Sequence, residues 1–327
     1  MILIVSHQKD GHNLAIQSAL QQMGHEFAEI DLAKFPSMSS LTLQYQTQQF
    51  EEATLQIDDK EISFNSVGAI WWRRPQGYTL HPDLKGSLES NFSYNECICA
   101  INGLWMLTDA NWINHPVNDE VASRKAYQLK VAAKNGLLIP KTCITNDPEQ
   151  AKQFIESLGD GNVIYKSFSA TEQAWRETRQ IKKEEIENLN AVKYAPVIFQ
   201  ECIHSDIDLR VTIIGNHIFP AAIHSLDTSY KYDFRMNYHE AKIVHHELPE
   251  KLQEQLLSFM REMGIIYGAV DLRLKQNGEY IFLEVNTAGQ WLFMEEPTGM
   301  PITNTLAQTL AEYDHYFAKK NNAVLAG

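Results

Sequence analysis

The stretch GAVDLRLKQNGEYIFLEVN, Gly268 to Asn286, decides how this chain reads. Two strand-like runs, AVDLRL and YIFLEV, flank Asn277 and Gly278. An Asn-Gly pair readily takes the positive φ angles of a two-residue hairpin turn. Counting back from such a turn opposes Gln276 to Glu279, Leu274 to Ile281, Leu272 to Leu283 and Asp271 to Glu284. Side chains alternate between faces along a strand, so Leu272, Leu274, Ile281 and Leu283 make one apolar face. Asp271 and Glu284 share the other face, and Asn286 follows on the same side. Like charges directly opposed across a ladder destabilise it, and a bound cation removes that penalty. Three oxygen ligands, completed by water and substrate phosphates, are what Mg²⁺ prefers. The same pattern also fits a half-buried hairpin with a plain polar face.

Composition narrows the classes. With 327 residues, 44% of them hydrophobic, the chain has room for two or three packed subdomains. No apolar run approaches a membrane span. The start, MILIVSHQKDGHN, has too short an apolar part for a signal peptide and no basic residue ahead of it. A formal charge of −13 argues against a nucleic-acid partner, although a local basic pocket for phosphates stays compatible with it. Cys97, Cys99, Cys143 and Cys202 lack zinc-site spacing and read as reduced thiols of a cytoplasmic protein. The paired acids Glu51-Glu52 and the set Glu184, Glu185 and Glu187 read as solvated faces.

Along the chain, MILIVS, a helix from about Asn13 to Met23 and FAEIDL read as strand, helix, strand, without the G-x-G-x-x-G of a dinucleotide site. VGAIWW reads as a strand, about Ser87 to Leu107 as a long helix, and NWINHP as a strand closing a first domain, 1–117. A central unit, 118–200, starts with a helix in VASRKAYQLKVAAKNG. It continues through the helix DPEQAKQFIESLG, N-capped by Asp147, and the strands NVIYKSF and APVIFQECI. A last unit, 201–327, holds a hairpin turning at Gly215-Asn216, the amphipathic helix PEKLQEQLLSFMREMG, the acidic hairpin and a closing helix in NTLAQTLAEYDHYFAKK. The whole is an α/β (α+β) chain.

Several residues with related chemistry then fall in order: Lys125 on a helix, Lys166 on an apolar strand, Gln200 to Ile203 at a strand end, Asp208, Arg210, and finally Asp271, Glu284 and Asn286. Lysines offer point charges to phosphates, and arginine offers a planar fork to a phosphoryl or carboxylate group. Backbone groups at a strand end can meet an adenine edge. Taken singly, each has a bland reading as solvated surface or a surface ion pair. In WWRRP, Trp71 to Pro75, the bland reading is a buried Trp and surface arginines; the alternative is a hold on a substrate carboxylate or partner peptide.

In this order the chain resembles the ATP-grasp superfamily and, more narrowly, the microviridin-type peptide macrocyclases, or graspetide ligases. AIWWRRP, SRKAYQLKVAAKNGLLIPKT, VIFQECI, DLRVTIIG, YDFR and YIFLEVNTAGQW carry the likeness. The resemblance implies a pre-ATP-grasp domain, a central lid-like domain and a C-terminal domain. It implies ATP contacts at Lys125, Lys166, Gln200, Glu201, Cys202, Ile203 and Asp208, and Mg²⁺ at Asp271, Glu284 and Asn286. Arg210 would steady the transferred phosphoryl group or its carboxylate acceptor, and Asp233 and Arg235 would orient a peptide. The implied partner is a precursor peptide, leader plus core, and a homodimer is a further implication. SFSATEQAWRETRQ lacks the glycines of many ATP-grasp phosphate loops, and TAGQWLFMEEPTGMP departs from the better-known macrocyclases. The expected reaction activates an Asp or Glu side chain as an acyl phosphate and closes an ester or amide bridge in the same peptide. The rivals are a ligase joining two separate molecules and a non-catalytic nucleotide-binding protein.

Overall fold

The computed structural model describes residues 1–7, 9–57, 60–159, 161–168, 178–205, 207–224 and 241–325. The first segment forms β1 (Ile2–Val5), α1 (Gly11–Gln22), β2 (Phe27–Ile30), β3 (Ser39–Gln46), β4 (Gln49–Ile57), β5 (Lys60–Ser63), β6 (Ala69–Trp72), α2 (Ser87–Leu107) and β7 (Asn111–Ile113). Strands β2-β1-β6-β7 make a parallel sheet in that order. All of β1, ILIV, is buried, as expected of a parallel strand covered on both faces. Asp10 caps α1 by accepting the His12 N–H at 2.9 Å. Strands β3-β4-β5 form a separate antiparallel sheet that the sequence reading leaves out. Its first strand, SSLTLQYQ, alternates Leu41, Leu43 and Tyr45 with polar residues, a strand signal that the sequence reading passed over, and none of its residues is fully buried.

The next segment forms α3 (Pro116–Ala122), α4 (Lys125–Lys134), β8 (Thr142–Thr145), α5 (Pro148–Leu158), β9 (Val163–Lys166), β10 (Arg179–Gln180), α6 (Lys183–Glu187) and β11 (Val197–Glu201). The single helix expected over VASRKAYQLKVAAK is two, broken where Arg124 takes extended angles and Lys125 starts a new turn. Asp147 caps α5 as expected, accepting the Glu149 N–H at 2.9 Å. Ala151 and Ile155 of α5 pack on Val163 and Phe199 of the antiparallel sheet β10-β9-β11-β8.

The last segment forms β12 (Ile207–Ile214), β13 (His217–His224), β14 (Lys242–His245), α7 (Glu250–Met263), β15 (Tyr267–Leu274), β16 (Tyr280–Asn286), α8 (Leu292–Thr298) and α9 (Ile302–Leu325). Its antiparallel sheet runs β14-β13-β12-β15-β16. Leu209, Val211, Val270, Leu272, Phe282 and Val285 face one way, onto Leu256, Phe259 and Met260 of α7. Helix α9 crosses back to the amino-terminal sheet, where Ile302, Leu306 and Leu310 join one core with Ile2, Ile4, Trp71, Tyr267 and Trp291. Among the described residues no helix is long and apolar enough to cross a membrane.

The acidic hairpin corrects the turn expected from Asn-Gly. Only Gly278, at φ 86°, has a positive φ there, so the two-residue turn that needs two such residues does not form. Lys275 N–H donates to the Glu279 carbonyl and Gly278 N–H to the Lys275 carbonyl, each at 2.9 Å, enclosing a three-residue loop. Pairing near the loop is therefore shifted by one: Leu274 opposes Tyr280, Arg273 opposes Ile281, and Leu272 opposes Phe282. A bulge between Asp271 and Leu272 takes up Leu283 as the extra residue, and Asp271 returns to its place opposite Glu284. The expected apolar face is corrected with it. Phe282 takes the core position beside Leu272, whereas Leu283 turns to the opposite side with Glu284.

Candidate active site

The sheet face opposite this core is charged, and its pattern is encoded twice. Asp208-Leu209-Arg210 on β12 and Asp271-Leu272-Arg273 on β15 are the same tripeptide on antiparallel neighbours. Each leucine points into the core, while each aspartate lies beside the other strand's arginine. Arg273 Nε donates to Asp208 Oδ1 at 2.8 Å, and Arg210 Nε lies 2.8 Å from Asp271 Oδ1. Both pairs are almost completely buried. Arg273 Nη1 also donates to the Ile203 carbonyl at 2.7 Å, tying β15 to the end of β11. Sequence reasoning missed Arg273, and the repeated Asp-Leu-Arg was the signal that could have found it.

Above this face lies a cleft between the central and C-terminal sheets. Lys125, Lys166, Gln200, Glu201, Cys202, Ile203, Asp208, Asp271 and Glu284 all line it, joined by Ile164, Thr178, Leu272, Arg273 and Leu283. Lys125, first residue of α4, reaches Glu284 Oε2 at 3.3 Å from a partly exposed position. Gln200 Nε2 donates to Thr142 Oγ1 at 2.9 Å. Gln200 Oε1 and Asp208 Oδ2 are buried and have no hydrogen-bond partner among the described residues, so the cleft wall holds acceptors for a donor group such as an exocyclic amine. Burial pushes the Cys202 thiol pKa up, which keeps this cysteine neutral in the wall of the cleft.

Arg210 and Asn286 do not line the cleft itself. Arg210 abuts it through Asp271. Asn286 pairs with Ala269, two residues along from the Asp271–Glu284 pair, and its Oδ1 accepts the Ala288 N–H at 2.9 Å. Among the described residues no group of three or more His, Cys, Asp or Glu side chains could hold a metal ion. Two opposed carboxylates and one carboxamide nevertheless fit Mg²⁺, which keeps water and phosphate oxygens in its remaining positions. Asp233, Arg235 and most of SFSATEQAWRETRQ lie outside the described residues.

WWRRP is not a surface element, contrary to its bland reading. Trp71 is buried as expected, but Arg73 is only 1% exposed. Arg73 Nε donates to Asp10 Oδ2 at 2.9 Å, and its Nη1 donates to the carbonyls of Ala288 at 2.7 Å and Gly289 at 2.9 Å. Its guanidinium stacks 5.4 Å from the Trp291 ring centroid. His12 Nε2 accepts the N–H groups of Trp291 at 3.1 Å and Leu292 at 3.3 Å, and its Nδ1 lies 3.2 Å from Asp10. Burial lowers the His12 pKa, consistent with a neutral ring that donates to Asp10 and accepts from the backbone. Residues 10–12 and 73 thus grip the loop that follows Asn286.

Comparison with known proteins places this arrangement. Residues 122–310 match the RimK-like ATP-grasp domain. The chain belongs to the RimK-like ATP-grasp family. Residues 1–120 match the MvdD pre-ATP-grasp domain, so this ATP-grasp ligase carries the amino-terminal unit that its sequence led one to expect. The structure of macrocyclase MdnC bound with precursor peptide MdnA from Microcystis aeruginosa MRC superposes with a TM-score of 0.84 at 30% identity, covering 95% of this chain and 99% of that one. A RiPP-associated ATP-grasp ligase from Chryseobacterium gregarium, in complex with ADP and a leader and core peptide, gives 0.86 at 26% identity, covering 95% and 96%. A probable alpha-L-glutamate ligase of Enterobacter sp. (strain 638) is 24% identical over 203 residues, 59% of this chain and 66% of that protein.

Proposed function

We propose that this ATP-grasp ligase activates Asp or Glu side chains of a ribosomally made precursor peptide and closes ester or amide crosslinks within that peptide. One observation carries the reading: likeness to the two peptide-bound ligases extends over 95% of the chain, including the amino-terminal unit. The match to the glutamate ligase covers 59% of the chain. The peptide carboxylate would take the γ-phosphoryl group of ATP, releasing ADP, and a hydroxyl or amine of the same peptide would attack the acyl carbon and displace inorganic phosphate. Phosphoryl transfer needs positioning and charge neutralisation more than covalent help, and this cleft offers lysine, arginine and carboxylate groups.

The residue roles follow from chemistry and position. Lys125 and Lys166 receive phosphates, and Gln200 to Ile203 hold the base. Asp271, Glu284 and Asn286 hold magnesium. Arg210, already facing Asp271, steadies the group in transfer. Asp208 acts through Arg273, which it orients. Asp233 and Arg235, outside the described residues, are assigned by the resemblance alone to orienting the peptide, leader plus core. The chain would work as three units, 1–117 with two sheets and 118–200 and 201–327 with one each, α9 packing back on the first.

The test is mass spectrometry of a precursor peptide encoded beside the gene, incubated with the protein, ATP and Mg²⁺. Loss of one water per crosslink, dependent on ATP, is the expected result. An unchanged peptide, with ATP consumed when free glutamate is supplied, would move the reading to an amino-acid ligase. The match to the RimK-like domain favours that alternative over a non-catalytic role.

A further inference from the structure

Arg74 occupies a place that opposes an arginine in three ways. Its φ is +47°, a left-handed value uncommon for residues other than glycine, asparagine and aspartate. It is half-buried, and burial lowers its pKa. The charges of Arg73 and Arg210 lower it further. Among the described residues its one side-chain hydrogen bond is from Nε to the Ala288 carbonyl, at 3.1 Å. The carboxylate of Asp10, which favours the Arg74 charge, is engaged by Arg73 at 2.9 Å and by the His12 N–H at 2.9 Å. Arg210 has its ion pair with Asp271, at 2.8 Å.

The position is also specific. Arg74 contacts Ala288, and Arg210 Nη1 lies 3.1 Å from where a Cβ on Gly289 would stand. Two guanidinium groups therefore abut consecutive residues of the loop directly after Asn286. That loop end adjoins the Asp271–Glu284 pair. Arg73 and Arg210 each hold a carboxylate among the described residues, whereas the hydrogen bond of Arg74 is to a neutral carbonyl; an incoming anion stabilises such a cluster, and a planar fork matches a carboxylate.

We propose that Arg74 binds the side-chain carboxylate of the acidic residue that this ligase activates, holding it beside Arg210 at the Asn286 end of the hairpin. The proposal rests on the function proposed above, in that the substrate presents a carboxylate. A second anion of related chemistry, the γ-phosphate of ATP, is distinguished by the test.

The test uses the full chain with ADP and Mg²⁺. Its probes are the precursor peptide that the wild-type protein crosslinks and a copy with the reacting Glu or Asp replaced by Gln or Asn. Wild-type protein should bind the amide copy about tenfold to a hundredfold more weakly. Arg74→Ala should bind both copies equally, at the weaker value, with ADP affinity unchanged. Arg74→Lys should recover part of the difference. Arg74→Gly relieves the positive φ and provides the same reading should Arg74→Ala fail to fold. Undiminished discrimination in Arg74→Ala or Arg74→Gly overturns the proposal. So does weakened binding of a non-hydrolysable ATP analogue with ADP and both peptides unaffected, which would assign Arg74 to the γ-phosphate. If wild-type protein leaves the peptide mass unchanged, the crosslinking reading has failed separately. L-glutamate and L-glutamine then replace the two peptides, and equal binding of both by wild-type protein overturns the Arg74 proposal as well.

Discussion

Two ion pairs in this protein look alike on paper and differ in use. Lys125 and Glu284 lie 3.3 Å apart at the cleft, with side chains 29% and 21% exposed. Arg73 and Asp10 lie 2.9 Å apart at the junction with the 287–292 loop, with side chains 1% and 5% exposed. The cleft pair is partly exposed, and in the roles proposed above its members change partners: lysine to a phosphate, glutamate to a cation. The junction pair has no such freedom, because removing either member strands a buried charge. For these two pairs, exposure separates a pair that can exchange partners from one that holds the 287–292 loop in place.

The carboxylates of the cleft provide the largest test. Asp271→Asn and Glu284→Gln should each lower ATP-dependent ADP release by more than about a hundredfold; Glu284→Gln should leave thermal unfolding near that of wild type, whereas Asp271→Asn should also destabilise the fold, because it leaves Arg210 buried without its carboxylate. Full activity in both would remove the metal assignment, and with it one side of the contrast. At the junction, Arg73→Ala should destabilise the fold by about 3–5 kcal/mol in denaturant unfolding, since Asp10 is left buried and unpaired. A change below about 1 kcal/mol would mean that the junction pair is no firmer than a surface pair.

Acidification should loosen the junction. Burial lowers the pKa of His12, so as pH falls below the ordinary histidine value of about 6.5 the unfolded chain takes up a proton that the folded chain resists. Stability should fall in that range. The Asp10 carboxyl is raised by burial, but hydrogen bonds from His12 and the Arg73 charge outweigh this and hold it well below the ordinary carboxylate range. Its contribution is present above the ordinary aspartate value and is lost as pH falls through the acid range. Melting temperature measured from about pH 7 to pH 5 should drop in wild type and flatten in His12→Gln. An identical slope in the variant would exclude His12 as the source. The smallest stability effect belongs to Lys125→Ala, under about 1 kcal/mol, yet ATP binding should weaken by about tenfold or more. Calorimetric titration with a non-hydrolysable analogue reads that difference directly.

Much of the cleft was legible before any coordinates. Lysines on apolar or helical segments, a strand-end QECI and acids across a hairpin are local patterns, and the eight residues singled out on those grounds line one cleft, with Asp208 as a ninth. The hairpin itself shows where local reading stops. Asn-Gly announced a turn and the opposition of Asp271 to Glu284 was found, but by a different route: a three-residue loop, with the bulge at Leu283 restoring the count. A bulge is selected by packing, here by Phe282 entering the core beside Leu272 and Phe259, and neighbouring residues in sequence carry no mark of it.

Chain order and residue type by themselves determined most of the succession of elements, though not the β3-β4-β5 sheet or the break between α3 and α4, and with it the position of the acidic hairpin and its basic companions, because alternation, capping and turn chemistry act between near neighbours. Tertiary structure alone decided that Arg73 is buried and that His12 receives two backbone N–H groups. The Arg73 bond to Ala288 spans 215 residues and that of His12 to Trp291 spans 279. Burial, which turns a surface arginine into a clamp, is a property of what arrives from the rest of the chain, and no local pattern contains it.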